Sequence, residues 1–248
     1  MEPFEIIAHR GASGHAPENT LAAINKALEF NVDRIEVDVH QTKDERIVVI
    51  HDDTLERTTT GLGPVNEQVY DALKEFDAGT WFSPEFKDER IPLLSSVLET
   101  IKGKAKLIIE IKNGSQINPD IEKNTWKLVT QHNMQDSTVI SSSRITVLNR
   151  FKSFAPEARL AKIITPKELW RSLFQNGSFM QKYNLMTHIK ELHPHWSFID
   201  NHFIEWAQNH NLPVYPWTVN KERKMRALLD RGVQGIITNF PDTANKIR

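Results

Sequence analysis

Residues Ile35–His40 read IEVDVH. Alternate side chains along a strand share a face, so Ile35, Val37 and Val39 point one way and Glu36, Asp38 and His40 the other. The apolar face asks for a cover of helices, which turns Glu36 and Asp38 toward the interior or mouth of a closed sheet. Two inward carboxylates spaced two residues apart repel one another unless a cation stands between them. Taken alone, the pair fits a solvated strand face equally well.

A second stretch repeats the device. In IIEIK, Ile108–Lys112, Glu110 and Lys112 share one face while Ile109 and Ile111 share the other. Three strand-borne carboxylates, Glu36, Asp38 and Glu110, thereby converge if both strands belong to one parallel barrel, whose active sites lie at the C-terminal strand ends. Such an oxygen-only set suits one hard divalent cation, Mg²⁺ or Ca²⁺.

The rest of the chain keeps a βα rhythm. Strands are expected at Phe4–Ala8, Arg34–His40, Ala105–Ile111, Ser137–Ile140, Ala158–Ile163, Pro213–Trp217 and Gly235–Thr238, with a weaker one within Met186–Leu192. Helical patterns lie between them near Thr20–Phe30, Leu94–Ile101, Pro119–Gln131, Ile145–Ser153, Pro166–Phe174, Asp200–Asn209 and Lys221–Arg231. Eight such units favour closure into an α/β barrel of the TIM (β/α)8 type, one domain over residues 1–248. From Asp52 to Ile91 the rhythm fails: the text is turn-rich, with one short helical piece near Gln68–Phe76, and reads as a small capping insertion after the second strand.

Two histidines end apolar strands. His9 opens HRGASGHAPENT, His9–Thr20, and His51 follows Ile47–Ile50, which pairs back through a turn at Lys43–Glu45. Beside a carboxylate cluster, one such imidazole can take a proton while the other gives one. Gly11 and Gly14 allow a tight turn after Arg10, and Pro17 with Glu18, Asn19 and Thr20 starts the next helix. Trp217, at the end of a late strand, offers an apolar wall for the non-phosphate part of a substrate. Histidines 15, 40, 132, 188, 193, 195, 202 and 210 have no such company and are read as surface or packing residues.

Composition narrows the classes further. The chain has 31 basic and 32 acidic residues among 248 and a net charge of −1, so no basic excess points to nucleic acid or an anionic membrane. Cysteine is absent, which removes thiolate chemistry, disulfides and cysteine metal sites. No run is long enough to span a membrane, so no stable membrane anchor is expected. The N-terminus lacks a basic region followed by an apolar one, and the expected location is cytoplasmic.

In order, HRGASGHAPENT, IEVDVHQTKDERIVVIHDDTLERTT, FDAGTWF, IPLLSSVL, LIIEIK, VISSS, PWTVN and GVQGIITNFP resemble the glycerophosphodiester phosphodiesterase family across most of the chain. The resemblance implies a TIM barrel with a small insertion after the second strand. It implies His9 and His51 as acid/base groups, and Glu36, Asp38 and Glu110 as ligands of one divalent cation. Arg10 and Lys112 take phosphate-contacting places, and Glu18 and Asn19 organise the site. The implied reaction is hydrolysis of a small-molecule glycerophosphodiester to glycerol 3-phosphate and an alcohol. Asn31 and Glu45 stand where the family usually has glycine, Asn239 replaces a common aspartate, and Ser143 a common aromatic. Two alternatives remain: a phospholipase-D-like enzyme acting on lipids, and a non-catalytic barrel that binds phosphodiesters. The second would be expected to lose a histidine or a carboxylate, and this chain has all five.

Overall fold

The computed structural model describes residues 4–114, 118, 120–166 and 188–248. A parallel sheet runs through β7 (Ile189–Pro194), β6 (Arg159–Ile164), β5 (Thr138–Ser142), β4 (Lys106–Ile111), β2 (Arg34–Gln41), β1 (Glu5–His9) and β8 (Gly235–Thr238). The short β3 (Ile47–Val49) lies antiparallel to β2. Residues 213–217 close the circle between β7 and β8. On one side Tyr215 N–H donates to Leu192 and Trp217 N–H to Pro194, at 2.9 and 3.0 Å. On the other, Val214 and Pro216 carbonyls accept from Gln234 and Ile237 at 3.1 and 3.0 Å. Pro213 and Pro216 have no N–H to give, so the expected strand forms isolated bridges rather than a continuous ladder.

Helices α1 (Leu21–Glu29), α3 (Leu94–Ile101), α4 (Ile121–Gln131), α5 (Ile145–Phe154), α6 (Asn201–Asn209), α7 (Glu222–Leu229) and α8 (Pro241–Asn245) follow in chain order, with the single turn α2 (Tyr70–Leu73) after β3. In α3 the residues Leu94, Val97, Leu98 and Ile101, spaced i, i+3, i+4 and i+7, are all fully buried. Each contributes on the order of 1.5–3 kcal/mol of burial, far more than helix propensity could over eight residues. The side chain of Thr20 caps α1 by accepting from Ala23 N–H, an interaction of about 1 kcal/mol.

The alternation in IEVDVH is realised as expected. Ile35, Val37 and Val39 belong to the layer between sheet and helices, with Ile6, Ala8, Leu107, Ile109 and Ile111. Inside the barrel the side chains form three levels. Arg34, Glu5 and Glu191 meet as ions at the base, with Tyr215 Oη accepting from Arg34 at 3.0 Å. Ile7, Ile108, Val139, Ala161, Tyr215 and Ile237 fill the middle. The register then pairs His9 with Glu36 and Asp38 with Glu110 at the C-terminal strand ends. Residues 167–174 of the expected helix Pro166–Phe174, Pro119 of the expected Pro119–Gln131, and 186–187 of the expected strand Met186–Leu192 lie outside the described residues.

Val48 of β3 and, after it, Ile50, Leu55, Val65, Leu73, Ala78 and Ile91 make a separate small core. It fixes the chain from His51 onward against the barrel without a long helix or strand.

Asn31 and Glu45 occupy left-handed backbone, at φ of +50° and +62°. A side chain there costs about 1–2 kcal/mol that glycine avoids, less for asparagine. Glu45 is exposed, so Glu45→Gly is expected to stabilise the fold by about 0.5–1 kcal/mol after the entropy of glycine is subtracted, or roughly 2 °C in Tm. Thermal unfolding followed by circular dichroism checks it, and a lower Tm would contradict it.

Candidate active site

β1 delivers His9 to the rim, and the chain then turns sharply. Arg10 and Gly11 both have positive φ, +57° and +77°. A Cβ on Gly11 would lie 2.6 Å from the Ala23 carbonyl carbon, so the loop can rest on α1 only with glycine there. At the end of the neighbouring strand β8, Asn239 Oδ1 lies 2.7 Å from His9 Nδ1. An amide oxygen accepts, which keeps the proton on Nδ1 and leaves Nε2 with its lone pair. Burial, reinforced by the Arg10 charge, pushes the His9 imidazole down to about 3.

The three carboxylates stand together, with one oxygen of each of Glu36, Asp38 and Glu110 within 4.8 Å of the others. Asp38 is 0% exposed. Its Oδ2 accepts from Asn19 Nδ2 at 2.9 Å and faces Arg10 Nε at 3.2 Å. Its Oδ1 faces Lys112 Nζ at 2.8 Å, and the same ammonium reaches Glu110 Oε2 at 2.8 Å. Burial opposes ionisation, but Lys112 and Arg10 outweigh it and hold Asp38 well below the usual carboxylate range. Glu36 accepts from the Arg10 backbone N–H at 2.9 Å. Burial first, then the charges of Asp38 and Glu110, pushes Glu36 well up, and burial also raises Glu110. A carboxylate pushed toward protonation by burial, and further by its carboxylate neighbours, would be relieved by a divalent cation, and the all-oxygen donor set fits Mg²⁺ or Ca²⁺.

His51 follows β3. Its carbonyl accepts from His40 Nε2 at 3.1 Å, so the buried His40 anchors its backbone. Its Nδ1 is paired with the Asp52 carboxylate, and Asp52 in turn binds Arg57. Burial lowers His51, while Asp38 and Asp52 oppose that shift. Asp52 itself is held down to about 2: partial burial works against this, but hydrogen bonds from Arg57 and His51 prevail.

These groups line a cavity of about 260 Å³, in which His9, Arg10, Glu36, His51, Glu110 and Lys112 occupy one side. Ser141, Ser143, Ile163, Thr165, His193, Trp217 and Ile237 line the other. Trp217 is held by a 2.8 Å bond from Nε1 to the His193 carbonyl. The expected site residues His9, Arg10, Glu36, His51, Glu110, Lys112 and Trp217 thus all face one cavity. Asp38, Glu18 and Asn19 stand directly behind them.

The sequence reading missed others. His193, read as a packing or surface residue, faces the cavity because it shares the inward parity of β7 with Glu191, and that parity was the available signal. Asn239 lies 230 residues from His9, and Arg57, although five residues from Asp52, also binds Glu18 across 39 residues, a link that its spacing does not show.

The family described as "Glycerophosphoryl diester phosphodiesterase family" matches residues 9–243. A glycerophosphodiester phosphodiesterase of Caldanaerobacter subterraneus subsp. tengcongensis is 36% identical over 96% of this chain and 95% of its own length. An Oleispira antarctica phosphodiesterase, solved in complex with the product sn-glycerol-3-phosphate, superposes with a TM-score of 0.89 at 29% identity, covering 98% of this chain and 95% of that one. The Agrobacterium tumefaciens glycerophosphodiester phosphodiesterase gives 0.83 at 29% identity, covering 97% and 98%.

If Glu36, Asp38 and Glu110 form a cation site, Glu110→Gln should weaken Mg²⁺ or Ca²⁺ binding by on the order of 10²-fold in isothermal titration calorimetry while leaving the fold intact. Unchanged affinity would move the cation elsewhere.

Proposed function

The chain belongs to the glycerophosphoryl diester phosphodiesterase family and is a phosphoric diester hydrolase of that kind; we propose that it cleaves a small glycerophosphodiester to glycerol 3-phosphate and an alcohol, with residues 52–91 capping the site. The observation that carries this reading is that two imidazoles, two cationic side chains and two carboxylates line one cavity, with a third carboxylate, Asp38, directly behind them and within 4.8 Å of both. Charge balance supports it. Three carboxylates and a diester carry four negative charges, and Arg10, Lys112 and a divalent cation carry four positive.

A cation held by Glu36, Asp38 and Glu110 supplies Lewis acidity at a phosphoryl oxygen. Arg10 and Lys112 orient the diester and offset charge building on its oxygens. The two histidines differ in their outer partners, and that difference gives them different roles. His9, backed by a neutral amide, stays unprotonated and accepts a proton at Nε2. His51, backed by the Asp52 carboxylate, can carry positive charge and donates to the leaving alcohol.

The nucleophile in this reading is the 2-hydroxyl of the substrate's glycerol, tethered beside phosphorus at no extra entropic cost. His9 takes its proton, the oxygen bonds to phosphorus, and the alcohol departs with the proton from His51. Water then opens the 1,2-cyclic phosphate as the histidines exchange roles. Trp217 walls the organic part of the substrate.

The decisive assay measures release of the alcohol from a panel of glycerophosphodiesters, a 2-deoxy analogue and a long-chain lipid diester, with glycerol 3-phosphate identified as the co-product of the first. Small diesters are expected to turn over in the presence of Mg²⁺ or Ca²⁺ and to stop with excess chelator. The deoxy analogue should bind and hardly react. Turnover of the lipid alone would favour the phospholipase-D-like alternative, and turnover of nothing would favour a non-catalytic barrel.

A second measurement separates the histidines. Against an alkyl diester, His9→Ala and His51→Ala should each lose on the order of 10²-fold or more in kcat. Against a p-nitrophenyl diester, whose leaving group needs no proton, His51→Ala should come within about tenfold of wild type while His9→Ala stays slow. The opposite pattern would reverse the roles.

A further inference from the structure

We propose that Arg57 is a positioning residue for this hydrolysis, setting His51 and Arg10 in one frame by gripping Asp52 with one edge of its guanidinium and Glu18 with the other. The inference rests on the reading given under Proposed function, because it assigns Arg57 a part in that reaction.

Arg57 does not line the cavity, so any influence it has must pass through other side chains. Its contacts are unusually complete for a residue whose side chain is 44% exposed. Nε and Nη2 both donate to Asp52, and Nη2 to Oδ1 at 3.1 Å. Nη1 and Nη2 donate to the two oxygens of Glu18 at 2.9 and 2.8 Å. Each carboxylate then has one partner in the site. Asp52 holds His51 Nδ1, and Glu18 Oε1 accepts from Arg10 Nη1 at 2.7 Å. Arg10 continues to Asp38 through Nε. The chain of contacts runs from one imidazole, through Arg57, to the cation expected at the phosphate and on to the deepest carboxylate.

Two observations separate this from an ordinary surface ion pair, which stabilises little. Both carboxylates are much less exposed than Arg57, at 14% for Glu18 and 28% for Asp52. The backbone under Arg57 is also fixed: Leu55 is fully buried in the small core, and Thr59 N–H closes a turn onto its carbonyl at 3.1 Å. A rigid planar donor set anchored at both ends suits positioning, and lysine, a single point of charge, cannot span both carboxylates in the same way.

The test compares Arg57→Gln and Arg57→Lys with wild type for kcat, KM, Tm and the ¹⁵N shift of the His51 ring. Arg57→Gln is expected to lower kcat about tenfold by freeing Asp52 and His51, and to raise KM several-fold by loosening Arg10. Arg57→Lys should recover less than half of either loss. In a Glu18→Gln background, Arg57→Gln should still lower kcat but leave KM where Glu18→Gln alone puts it. The His51 ring signal should move in Arg57→Gln whether or not a given diester is a substrate, so a wrong choice of reaction is told apart from a wrong role for Arg57. Kinetic constants within twofold of wild type and an unmoved His51 signal would overturn the proposal. So would a loss confined to Tm and fully restored by lysine. If Arg57→Gln does not fold, the lysine variant decides: full activity with an unmoved His51 signal overturns the role.

Discussion

The site is built around one buried charge. Asp38 is fully enclosed, and an unpaired carboxylate at that depth would ruin the barrel mouth. Lys112, Arg10 and Asn19 surround it from three directions. At separations near 3 Å each cation contributes several kcal/mol even at a generous effective dielectric, which is the scale needed to offset desolvation. Because Lys112 follows β4 while Arg10 and Asn19 both lie in the loop after β1, satisfying Asp38 brings β2, β4 and that loop to a common point. The groups read as catalytic are then carried along: Glu110 by Lys112, and Glu36 by the Arg10 backbone N–H.

The barrel interior makes this affordable. Its middle level is apolar, and ionic levels sit above and below it. At the base, Arg34 is shared between Glu191 and Glu5 and lies over the Tyr215 ring. In that lower network both carboxylates are paired with Arg34 and the whole lies beneath the apolar level, so it reads as a solution to strand parity rather than as chemistry. β2 presents Arg34, Glu36 and Asp38 on one face, and the same alternation that places two carboxylates at the mouth forces a third charged residue to the bottom.

How far the sequence went depended on whether a signal was local. The period of two in IEVDVH and LIIEIK gave the inward carboxylates, and the recurring βα units gave the barrel. The segment 213–217 was recognisable by its β-rich residues, although its prolines thin the ladder. The outer partners of the histidines were not legible: Asn239 lies 230 residues from His9. Asp52 and Arg57 were present in a quoted motif, yet nothing in their spacing says that one guanidinium reaches both Asp52 and Glu18. His193 looked like the other unsupported histidines until strand parity placed it. For Asn239, and for the reach of Arg57 to Glu18, the missing information was which chain segments close together, a property of the closed barrel; for His193 the parity of β7 was there to read.

Left-handed backbone occurs in and outside the working part of the molecule, but in the site the side chains put it to use. Arg10 and Asn19 both hold left-handed conformations, at φ of +57° and +61°. At Arg10 that geometry aims the main-chain N–H at Glu36 while the side chain reaches Glu18 and Asp38. At Asn19 it lets one amide both donate to the Asp38 carboxylate and accept from the Asp38 backbone N–H. Glycine would relieve the torsion and lose every one of the side-chain contacts. Glu45 holds a similar φ at the β2–β3 turn, but its exposed side chain binds no other described residue, so there the strain has no return. The same dihedral therefore means two things in one chain, and the difference lies in what the side chain touches. Strain of about 1–2 kcal/mol persists at Arg10 and Asn19 because the surrounding ions over-determine it. This ties the backbone of the first loop to the electrostatics of Asp38 and makes the loop and the carboxylate cluster a single structural unit.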